Sequence, residues 1–289
     1  MSIKLAATKG LSREQWLTMR KGGIGGSDAG AVCGLNPYRS AFSVYMDKTS
    51  QAAPEEDNER MRQGRDLEDY CARRFSEATG LKVRRSNYLY RHEEYSFMIA
   101  DLDRVVVGEN AGLECKTASA WSADRWKSVD TIPESYLLQC QHYMSVMGYD
   151  AMYLACLVLG SAFVYYKIPR NEELISNLIH LEADFWNHHV LPHVIPDPDG
   201  SKAYDDALSS YFTPAGDTPI PLVGFDEELR RRKEVSQLIT KLETEKKCID
   251  QKLKLFLGDS QVAENGRYRI TWKKSESNGT RRFTVKEVA

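Results

Sequence analysis

The stretch from Ile99 to Lys116 reads IADLDRVVVGENAGLECK, and it holds the features that decide the fold. Apolar residues at its two ends predict two strands, and the glycine- and asparagine-rich turn at 108–112 predicts that a hairpin joins them. A hairpin of this kind fixes the register of two neighbouring strands. Polar residues near the turn are therefore predicted to lie side by side.

The polar residues of this hairpin predict a metal site. Alternate residues of a strand share a face, so Glu114 and Lys116 point the same way while Cys115 points into the core. The hairpin brings Asp103 alongside them. Two carboxylates and a lysine on an otherwise apolar sheet are costly without a partner. A divalent cation is the natural partner, since hard oxygen ligands suit Mg²⁺.

Two alternatives remain open from the residues alone. Asp101 is predicted on the same strand face as Asp103, so a register shift of two residues would exchange their roles, and Asp103 is preferred because it lies nearer the turn. The group is also compatible with a surface salt bridge on an edge hairpin, because an aspartate followed by Glu-x-Lys is a weak pattern by itself.

Two predicted helices carry polar residues that fit the same site. A long helix over 58–79, ended by Gly80, places Gly64 and Glu68 on one face, where the glycine leaves room for a metal or a phosphate backbone. A helix that begins at Pro133 and ends at Gly148 places Gln139 and Tyr143 on one face, at a spacing of four residues. The order of these residues along the chain, a helix glutamate, an aspartate, Glu-x-Lys on a strand and a helix glutamine, favours a common site.

The remaining pattern predicts an α/β (α+β) fold with a central mixed β-sheet flanked by helices. Helices are predicted from Ser12 to Arg20, over 41–48 and over 171–190, and strands over 82–90, 95–107, 112–117, 151–159 and 161–168. A glycine-rich loop at 22–28 precedes a short helix, whose backbone donors would suit a phosphate. A polar linker is predicted at 50–57.

The C-terminal third differs from the rest in composition. Residues 1–191 are predicted as the core domain, and 192–224, with six of the ten prolines, as a linker or arm. Residues 225–289 are predicted as a long amphipathic helix or helical hairpin followed by a pair of strands. Residues 226–289 carry a net charge of +5, against −7 for residues 1–225, which suggests a polyanionic partner for the C-terminal part.

Composition excludes several classes of protein. The chain has 289 residues, 42% of them hydrophobic, which excludes disorder throughout. The longest apolar run, 151–160, is too short to cross a bilayer, and the N-terminus has no secretory pattern, so a cytoplasmic protein is expected. Six scattered cysteines without a CxxC pair fit neither a disulfide framework nor a zinc or iron–sulfur site. The histidines 189 and 193 are predicted to be structural because Pro192 separates them.

The order of these motifs resembles the PD-(D/E)xK nucleases. The segments GIGGSD (23–28) and GLNPY (34–38) together with LECK (113–116) are similar to the YqaJ-type viral recombinases, to which lambda exonuclease is related. The resemblance covers roughly residues 15–190. It implies a PD-(D/E)xK nuclease-like core. The helical C-terminal extension lies beyond the resemblance and is predicted from periodicity alone.

The resemblance also implies roles for single residues. Asp103, Glu114 and Glu68 would be the metal ligands, Lys116 the catalytic lysine and Gln139 the motif glutamine. Carried over in the same way, Arg20 and Ser27 would hold the 5′-terminal phosphate of DNA. The sequence departs from the family pattern at Arg104, where a glycine usually follows the aspartate, and in lacking a clear arginine after the lysine, although Arg125 is near.

The activity implied is a Mg²⁺-dependent 5′-to-3′ exonuclease, with Mn²⁺ as a substitute, that acts on linear double-stranded DNA. It would release 5′-mononucleotides and leave 3′ single strands for phage-type recombination. A homotrimer, a single-strand annealing recombinase as partner, and a phage or prophage origin in the cytoplasm of a bacterial host are implied in the same way. The alternatives are a catalytically silent DNA-binding accessory protein and an endonuclease of the same superfamily.

Overall fold

The computed structural model describes residues 2–49, 58–214, 216–275 and 279–288. The polar linker predicted at 50–57 lies outside the described residues. The α-helices run in chain order as α1 Arg13–Arg20, α2 Gly26–Val32, α3 Ala41–Lys48, α4 Glu59–Thr79, α5 Glu134–Met147, α6 Glu172–Phe185, α7 Lys202–Tyr211 and α8 Asp226–Leu257. Shorter helical turns are the 3₁₀ segments Ala120–Trp126 and Val129–Thr131 and the π-helical segment Trp186–Val190.

The strands form three sheets. In chain order they are β1 Ile3–Ala7, β2 Ile24–Gly25, β3 Val83–Arg85, β4 Tyr88–Arg91, β5 Met98–Asp101, β6 Arg104–Val106, β7 Ala111–Ala118, β8 Ala151–Val158, β9 Ala162–Pro169, β10 Val262–Glu264, β11 Tyr268–Lys274 and β12 Arg281–Glu287. The central sheet has the order β3-β6-β7-β8-β9, and a second sheet has the order β1-β4-β5-β2. Since β7 and β8 are parallel while the other pairs of the central sheet are antiparallel, that sheet is mixed, as predicted.

The central sheet is covered on both faces by helices. Leu113 and Tyr153 pack with Phe75 of α4 in one apolar cluster, whereas Leu154 packs with Met144 of α5 in another. This separation follows from the alternation of side chains along β7 and β8. Odd-numbered positions of β7 thus face α4, and even-numbered positions face α5.

Two strands predicted as continuous are each divided in two. The 82–90 stretch breaks before β4 at Asn87, which has a φ of +57°. The 95–107 stretch breaks at Leu102 and Asp103, so β5 belongs to the second sheet and β6 to the central one. Asp101 and Asp103 therefore do not share a strand face. The prediction was wrong here because hydrophobicity alone does not show where a chain passes from one sheet to another.

Local end signals placed the helices well. The side chain of Ser12 accepts from the Gln15 backbone N–H and Gln15 bonds back, which forms the capping box that begins α1. Asn58 caps α4, and Gly80 ends it with a φ of +73°. Pro133 is the residue before α5 rather than its first residue.

The chain divides into two compact units, Met1–Pro214 and Ala215–Ala289. Within the first unit, the proline-rich stretch contains α7, which proline content and weak periodicity did not predict, and Tyr204 of α7 packs on Phe42 with ring centroids 5.0 Å apart. The second unit combines α8, which is a single helix, with the sheet β10-β11-β12. In the described part of the chain, no helix combines the length and apolarity that a membrane span requires.

Candidate active site

Glu114, Lys116 and Gln139 form a closed set of hydrogen bonds between β7 and α5. The Lys116 ammonium donates to Glu114 Oε1 at 2.7 Å and to Gln139 Oε1 at 2.9 Å. The Gln139 amide donates to the same Glu114 oxygen at 2.7 Å. These contacts arise because the even-numbered side chains of β7 face α5. The structure thus brings together three residues that the sequence placed in one site.

The second carboxylate oxygen of Glu114 carries the strongest chemical signal. Glu114 is only 5% exposed, and its Oε2 has no hydrogen-bond partner among the described residues. Burial raises the pKa of Glu114, although Lys116 acts to lower it. A buried carboxylate oxygen without a donor is costly. A divalent cation would satisfy it, so this donor fits a hard cation such as Mg²⁺.

Asp103 lies directly before β6 and close to Glu114. Its Oδ2 accepts from the backbone N–H of Cys115 at 2.7 Å, so the hairpin holds it next to β7, as predicted. Burial, and then the negative charges of Glu114 and Glu68, raise the pKa of Asp103 well above its usual value. The two carboxylates are thus held close together without enough positive charge to balance them. A cation bound there would relieve this repulsion.

Lys116 is positioned to stay charged. Burial acts to lower its pKa, but the carboxylates of Glu114 and Asp103 raise the pKa of Lys116 above its ordinary value. The ammonium also lies over the Tyr136 ring, 4.8 Å from its centroid. An ammonium fixed in this way can donate to an attacking water or to an oxygen of a phosphate.

Gln139 connects this set to the glycine-rich loop. Its amide also donates to the Tyr143 hydroxyl at 3.2 Å. The ring of Tyr143 lies so close to Gly26 that a Cβ at that position would stand 2.6 Å from a ring carbon. Gly26 therefore has a packing role that lets α2 approach α5, in addition to its place in the loop.

Glu68 lies on α4 and forms an ion pair with an arginine. Its Oε1 is hydrogen-bonded to the guanidinium of Arg104, whose side chain is 5% exposed. Gly64, one turn earlier, faces Thr117, and a Cβ there would meet its Oγ1 only at 3.8 Å, an ordinary contact. The packing therefore does not require glycine at 64. Among the described residues, no three His, Cys, Asp or Glu side chains converge on one metal position.

Asp101 makes a different interaction from Asp103. Its Oδ2 accepts from the indole Nε1–H of Trp16 at 2.6 Å. Burial raises the pKa of Asp101, while the Trp16 hydrogen bond and Arg20 lower it. Arg20 in turn lies over the Trp16 ring, 4.8 Å from its centroid. Asp101 thus joins β5 to α1, and the pairing with β7 belongs to Asp103.

Arg20 and Ser27 are brought together, as the resemblance implied. The Arg20 guanidinium donates to Ser27 Oγ at 2.7 Å. Behind them lies the fully buried Asp28, which accepts from Lys48 at 2.8 Å and from Arg39 at 2.7 Å. Burial acts to raise the pKa of Asp28, but the positive charges of Lys48, Arg39 and Arg20 hold it well below its usual value. Arg20, Arg39 and Lys48 thus surround Asp28 and form a corner rich in positive side chains, which suits an anion.

A cavity of about 540 Å³ adjoins the site. Thr117 and Tyr136 form the wall nearest Lys116, and Arg60 and Arg125 contribute its positive charge. Arg125, which the sequence places near the lysine, is thus part of the cavity lining. The described residues that line the cavity include no acidic side chain, and its two arginines suit it to a polyanion.

The two tryptophans after Lys116 differ in environment. Trp126 is buried and stacks on Tyr136 with ring centroids 5.7 Å apart, so it is a packing residue. Trp121 is 99% exposed on a 3₁₀ segment and remains available to contact a ligand.

Sequence reasoning missed the buried groups whose partners come from distant segments. His142 and Glu182 form a fully buried pair, with Nδ1 and Oε1 2.8 Å apart, and His142 Nε2 contacts the carbonyl oxygen of Ile99. Lys48 was missed as well, although it lies in a helix of otherwise apolar character. A charged residue at a core position of an amphipathic helix is the signal that could have found it.

Comparisons with known proteins agree with this architecture. The family model of the YqaJ-like viral recombinase domain matches residues 15–150. The uncharacterized protein YqaJ of Bacillus subtilis (strain 168) is 38% identical over 279 residues, which cover 95% of this chain and 87% of that protein.

Among solved structures, the alkaline exonuclease LHK-Exo from Laribacter hongkongensis has a TM-score of 0.52 at 18% identity, covering 63% of this chain and 94% of its own. Its complex with dAMP has a TM-score of 0.54 with the same identity and coverage. This likeness confirms the predicted nuclease-like fold. The chain belongs to the YqaJ-like viral recombinase family and contains the fold of an alkaline exonuclease.

Proposed function

We propose that this protein is a Mg²⁺-dependent 5′-to-3′ exonuclease that acts on linear double-stranded DNA. It releases 5′-mononucleotides and leaves 3′ single strands for homologous recombination. Membership of a viral recombinase family and the fold shared with an alkaline exonuclease support DNA as the substrate. Mn²⁺ is expected to replace Mg²⁺ because both accept oxygen ligands.

The observation that carries this proposal is a pair of under-neutralised carboxylates, Glu114 buried and Asp103 half-buried. Among the described residues Glu114 Oε2 has no donor, and the negative charge of Glu114 acts on Asp103. In the proposed site both residues hold the cation. Mg²⁺ usually takes one or two carboxylates and completes its shell with waters and substrate phosphates, so two protein ligands suffice. Glu68 would assist from α4.

The bound cation would supply Lewis acidity at the scissile phosphate. The chain's own residues then have separate tasks. Lys116 donates hydrogen bonds to the attacking water and to a phosphate oxygen, and so stabilises the negative charge of the transition state. Gln139 keeps Lys116 and Glu114 aligned through its amide.

The bonds made and broken follow from hydrolysis. The oxygen of water attacks the phosphorus, and the bond from phosphorus to the 3′ oxygen of the terminal nucleotide breaks. A proton passes to the leaving 3′ oxygen. The products are a 5′-mononucleotide and a strand shorter by one residue that again carries a 5′ phosphate. Arg20 and Ser27 would hold the 5′ phosphate of the end being processed, since they lie together in the positively charged corner beside Asp28.

The wider assignments are part of the same proposal. A homotrimer would surround the DNA and keep the enzyme on its substrate. A single-strand annealing recombinase would take over the 3′ strand that remains. A phage or prophage origin and action in the host cytoplasm fit a viral recombinase family.

The decisive experiment is digestion of linear duplex DNA labelled at one end, with Mg²⁺ or with EDTA. The substrates carry either a 5′ phosphate or a 5′ hydroxyl, and the proteins are the wild type and Lys116→Ala. We expect Mg²⁺-dependent loss of the 5′-phosphorylated strand, abolished by the substitution. Cutting of closed circular DNA would point to an endonuclease instead. Binding of DNA without any digestion would support the silent accessory protein.

A further inference from the structure

Arg104 stands next to Asp103, and its environment is unusual for an arginine. The residue is 4% exposed and begins β6 in the central sheet, where it pairs with Leu113. Buried arginines are rare unless they are paired, because removal of a charge from water is expensive. Its partners therefore indicate what it does.

The guanidinium of Arg104 joins α4 to the segment between β5 and β6 that carries Asp103. One terminal nitrogen donates both to Glu68 Oε1 and to the backbone carbonyl of Asp103, the latter at 2.6 Å. The other terminal nitrogen donates to Asp69 Oδ1 at 2.5 Å. A single rigid fork thus contacts two neighbouring carboxylates of the helix and the main chain of the segment that carries Asp103.

Glu68 needs such a restraint. Its Oε1 and the carbonyl oxygen of Asp103 both accept from one nitrogen of Arg104, so the Glu68 carboxylate lies close to Asp103. Like charges repel, and a carboxylate without a restraint would turn away from Asp103 into solvent. The guanidinium compensates for the repulsion and fixes the direction of the side chain at the same time.

We propose that Arg104 is a positioning residue, which holds Glu68 beside Asp103 in the orientation from which Glu68 assists binding of the divalent cation. The inference rests on the proposed function in taking Asp103 and Glu114 as the cation site. It adds that α4 is tied to this site through one buried guanidinium. Arg104 itself touches neither cation nor DNA.

Lysine cannot replace arginine in this role. An ammonium retains the charge but is a point donor, so it cannot hold Glu68, Asp69 and the Asp103 carbonyl in one plane. Changes to the partners that orient metal ligands typically weaken metal affinity by about 10-fold to 100-fold. We expect Arg104→Lys to weaken Mn²⁺ binding by an amount in that range.

Arg85 provides a matched control. It also pairs with Asp69, through two hydrogen bonds of 3.2 and 2.5 Å, but it is exposed and makes no contact with Glu68 among the contacts described. Arg85→Gln therefore removes a guanidinium that pairs with Asp69, while the contact between Arg104 and Glu68 is retained. Its Mn²⁺ affinity should equal that of the wild type.

The test is a calorimetric titration of the full-length protein with Mn²⁺, in the absence of DNA. The proteins are the wild type, Arg104→Lys, Arg85→Gln, Glu68→Gln and the double variant Arg104→Lys/Glu68→Gln. If Arg104 acts through Glu68, the double variant binds Mn²⁺ no more weakly than Glu68→Gln, because the two losses are not additive. A purely structural effect of Arg104 would add to the loss caused by Glu68→Gln.

The outcomes separate this inference from the proposed function. The inference is wrong if either Arg104→Lys or Glu68→Gln binds Mn²⁺ as tightly as the wild type. Glu68→Gln still provides the test if Arg104→Lys does not fold. If the wild type binds Mn²⁺ but fails to digest DNA, the proposed function is rejected while the role of Arg104 is still decided by the binding data. Absence of Mn²⁺ binding by the wild type rejects both.

Discussion

Asp28 and Glu114 are both buried carboxylates, yet their surroundings differ sharply. Asp28 is fully buried and is neutralised by Lys48, Arg39 and Arg20, which hold its pKa well below the usual value. One oxygen of Glu114 accepts from a lysine and an amide, the other has no partner within the described part of the chain, and burial raises the pKa of this carboxyl group.

In the proposed function, the difference separates a structural carboxylate from a functional one. Asp28 lies among three positive side chains, which hold it in its charged form. The charges of Glu114 and Asp103 are, in that proposal, balanced by a cation from solution. Carboxylates whose pKa is raised by burial and by a neighbouring negative charge are typical of active sites. Five predictions test the comparison, beginning with the largest effect.

Asp103→Asn should have the largest effect on activity. Loss of one cation ligand is expected to lower the rate of DNA digestion by about 10³-fold, since the cation supplies several kcal/mol of transition-state stabilisation. The rate is measured on end-labelled duplex DNA. Asp101→Asn is the control, because an asparagine oxygen can still accept from Trp16. Equal losses in the two variants would show that the assignment of Asp103 is wrong.

Asp28→Asn should have the largest effect on stability. It leaves the Lys48 ammonium, whose side chain is 0% exposed, without its buried partner. Breaking a buried ion pair on one side costs about 3–5 kcal/mol of the free energy of unfolding. Urea denaturation measures this, with Asp47→Asn as control, since Asp47 contacts the same lysine from a partly exposed position.

The same measurement on Asp103→Asn should give the opposite result. Removing one of two repelling buried charges is not expected to lower the free energy of unfolding of the metal-free protein. A loss as large as that of Asp28→Asn would mean that the two regions do not differ as described.

Addition of the cation should stabilise the wild type but not Glu114→Gln. At a concentration of Mn²⁺ about 100 times the dissociation constant, the free energy of unfolding rises by about 2.7 kcal/mol. Thermal unfolding with Mn²⁺ and with EDTA measures the difference. Arg39→Gln, in the corner around Asp28, should retain the full increase. A similar increase in Glu114→Gln would place the cation elsewhere.

The pH dependence of Asp28 should be the smallest effect. Because its pKa is lowered in the folded protein, its contribution to stability is complete above the unfolded pKa, about 3.9, and is lost as the pH falls through the lower folded value. The stability difference between wild type and Asp28→Asn should therefore be constant from pH 7 to about pH 4 and shrink below that. Urea titrations at stepwise pH test this. A difference that shrinks already between pH 7 and pH 5 would contradict the lowered pKa.

The hairpin shows how much of the candidate site could be predicted from the sequence. The turn at 108–112 and the alternation of Leu113, Glu114, Cys115 and Lys116 were enough to predict which side chains share a face, because both signals are local. The same signals could not show that the preceding strand is divided between two sheets. Passage between sheets depends on what each half packs against.

Arg104 shows the opposite case. In the sequence it was only a departure from the family pattern beside Asp103. Its role follows from contacts with Glu68 and Asp69, which lie about thirty-five residues earlier on α4. Charged partners far apart in the chain leave no local pattern, so their pairing is visible only in the folded protein.

By itself, the sequence determined the ends of α1 and α4, the hairpin and the mixed sheet flanked by helices, and it supplied the hypothesis of which residues could hold a cation, since caps, turns and alternation act over a few residues. Only the tertiary structure decided which buried carboxylate is neutralised and which is not. The charge balance around Asp28 and Glu114 depends on side chains delivered by separate helices and strands, and burial makes that balance decisive because water no longer screens it.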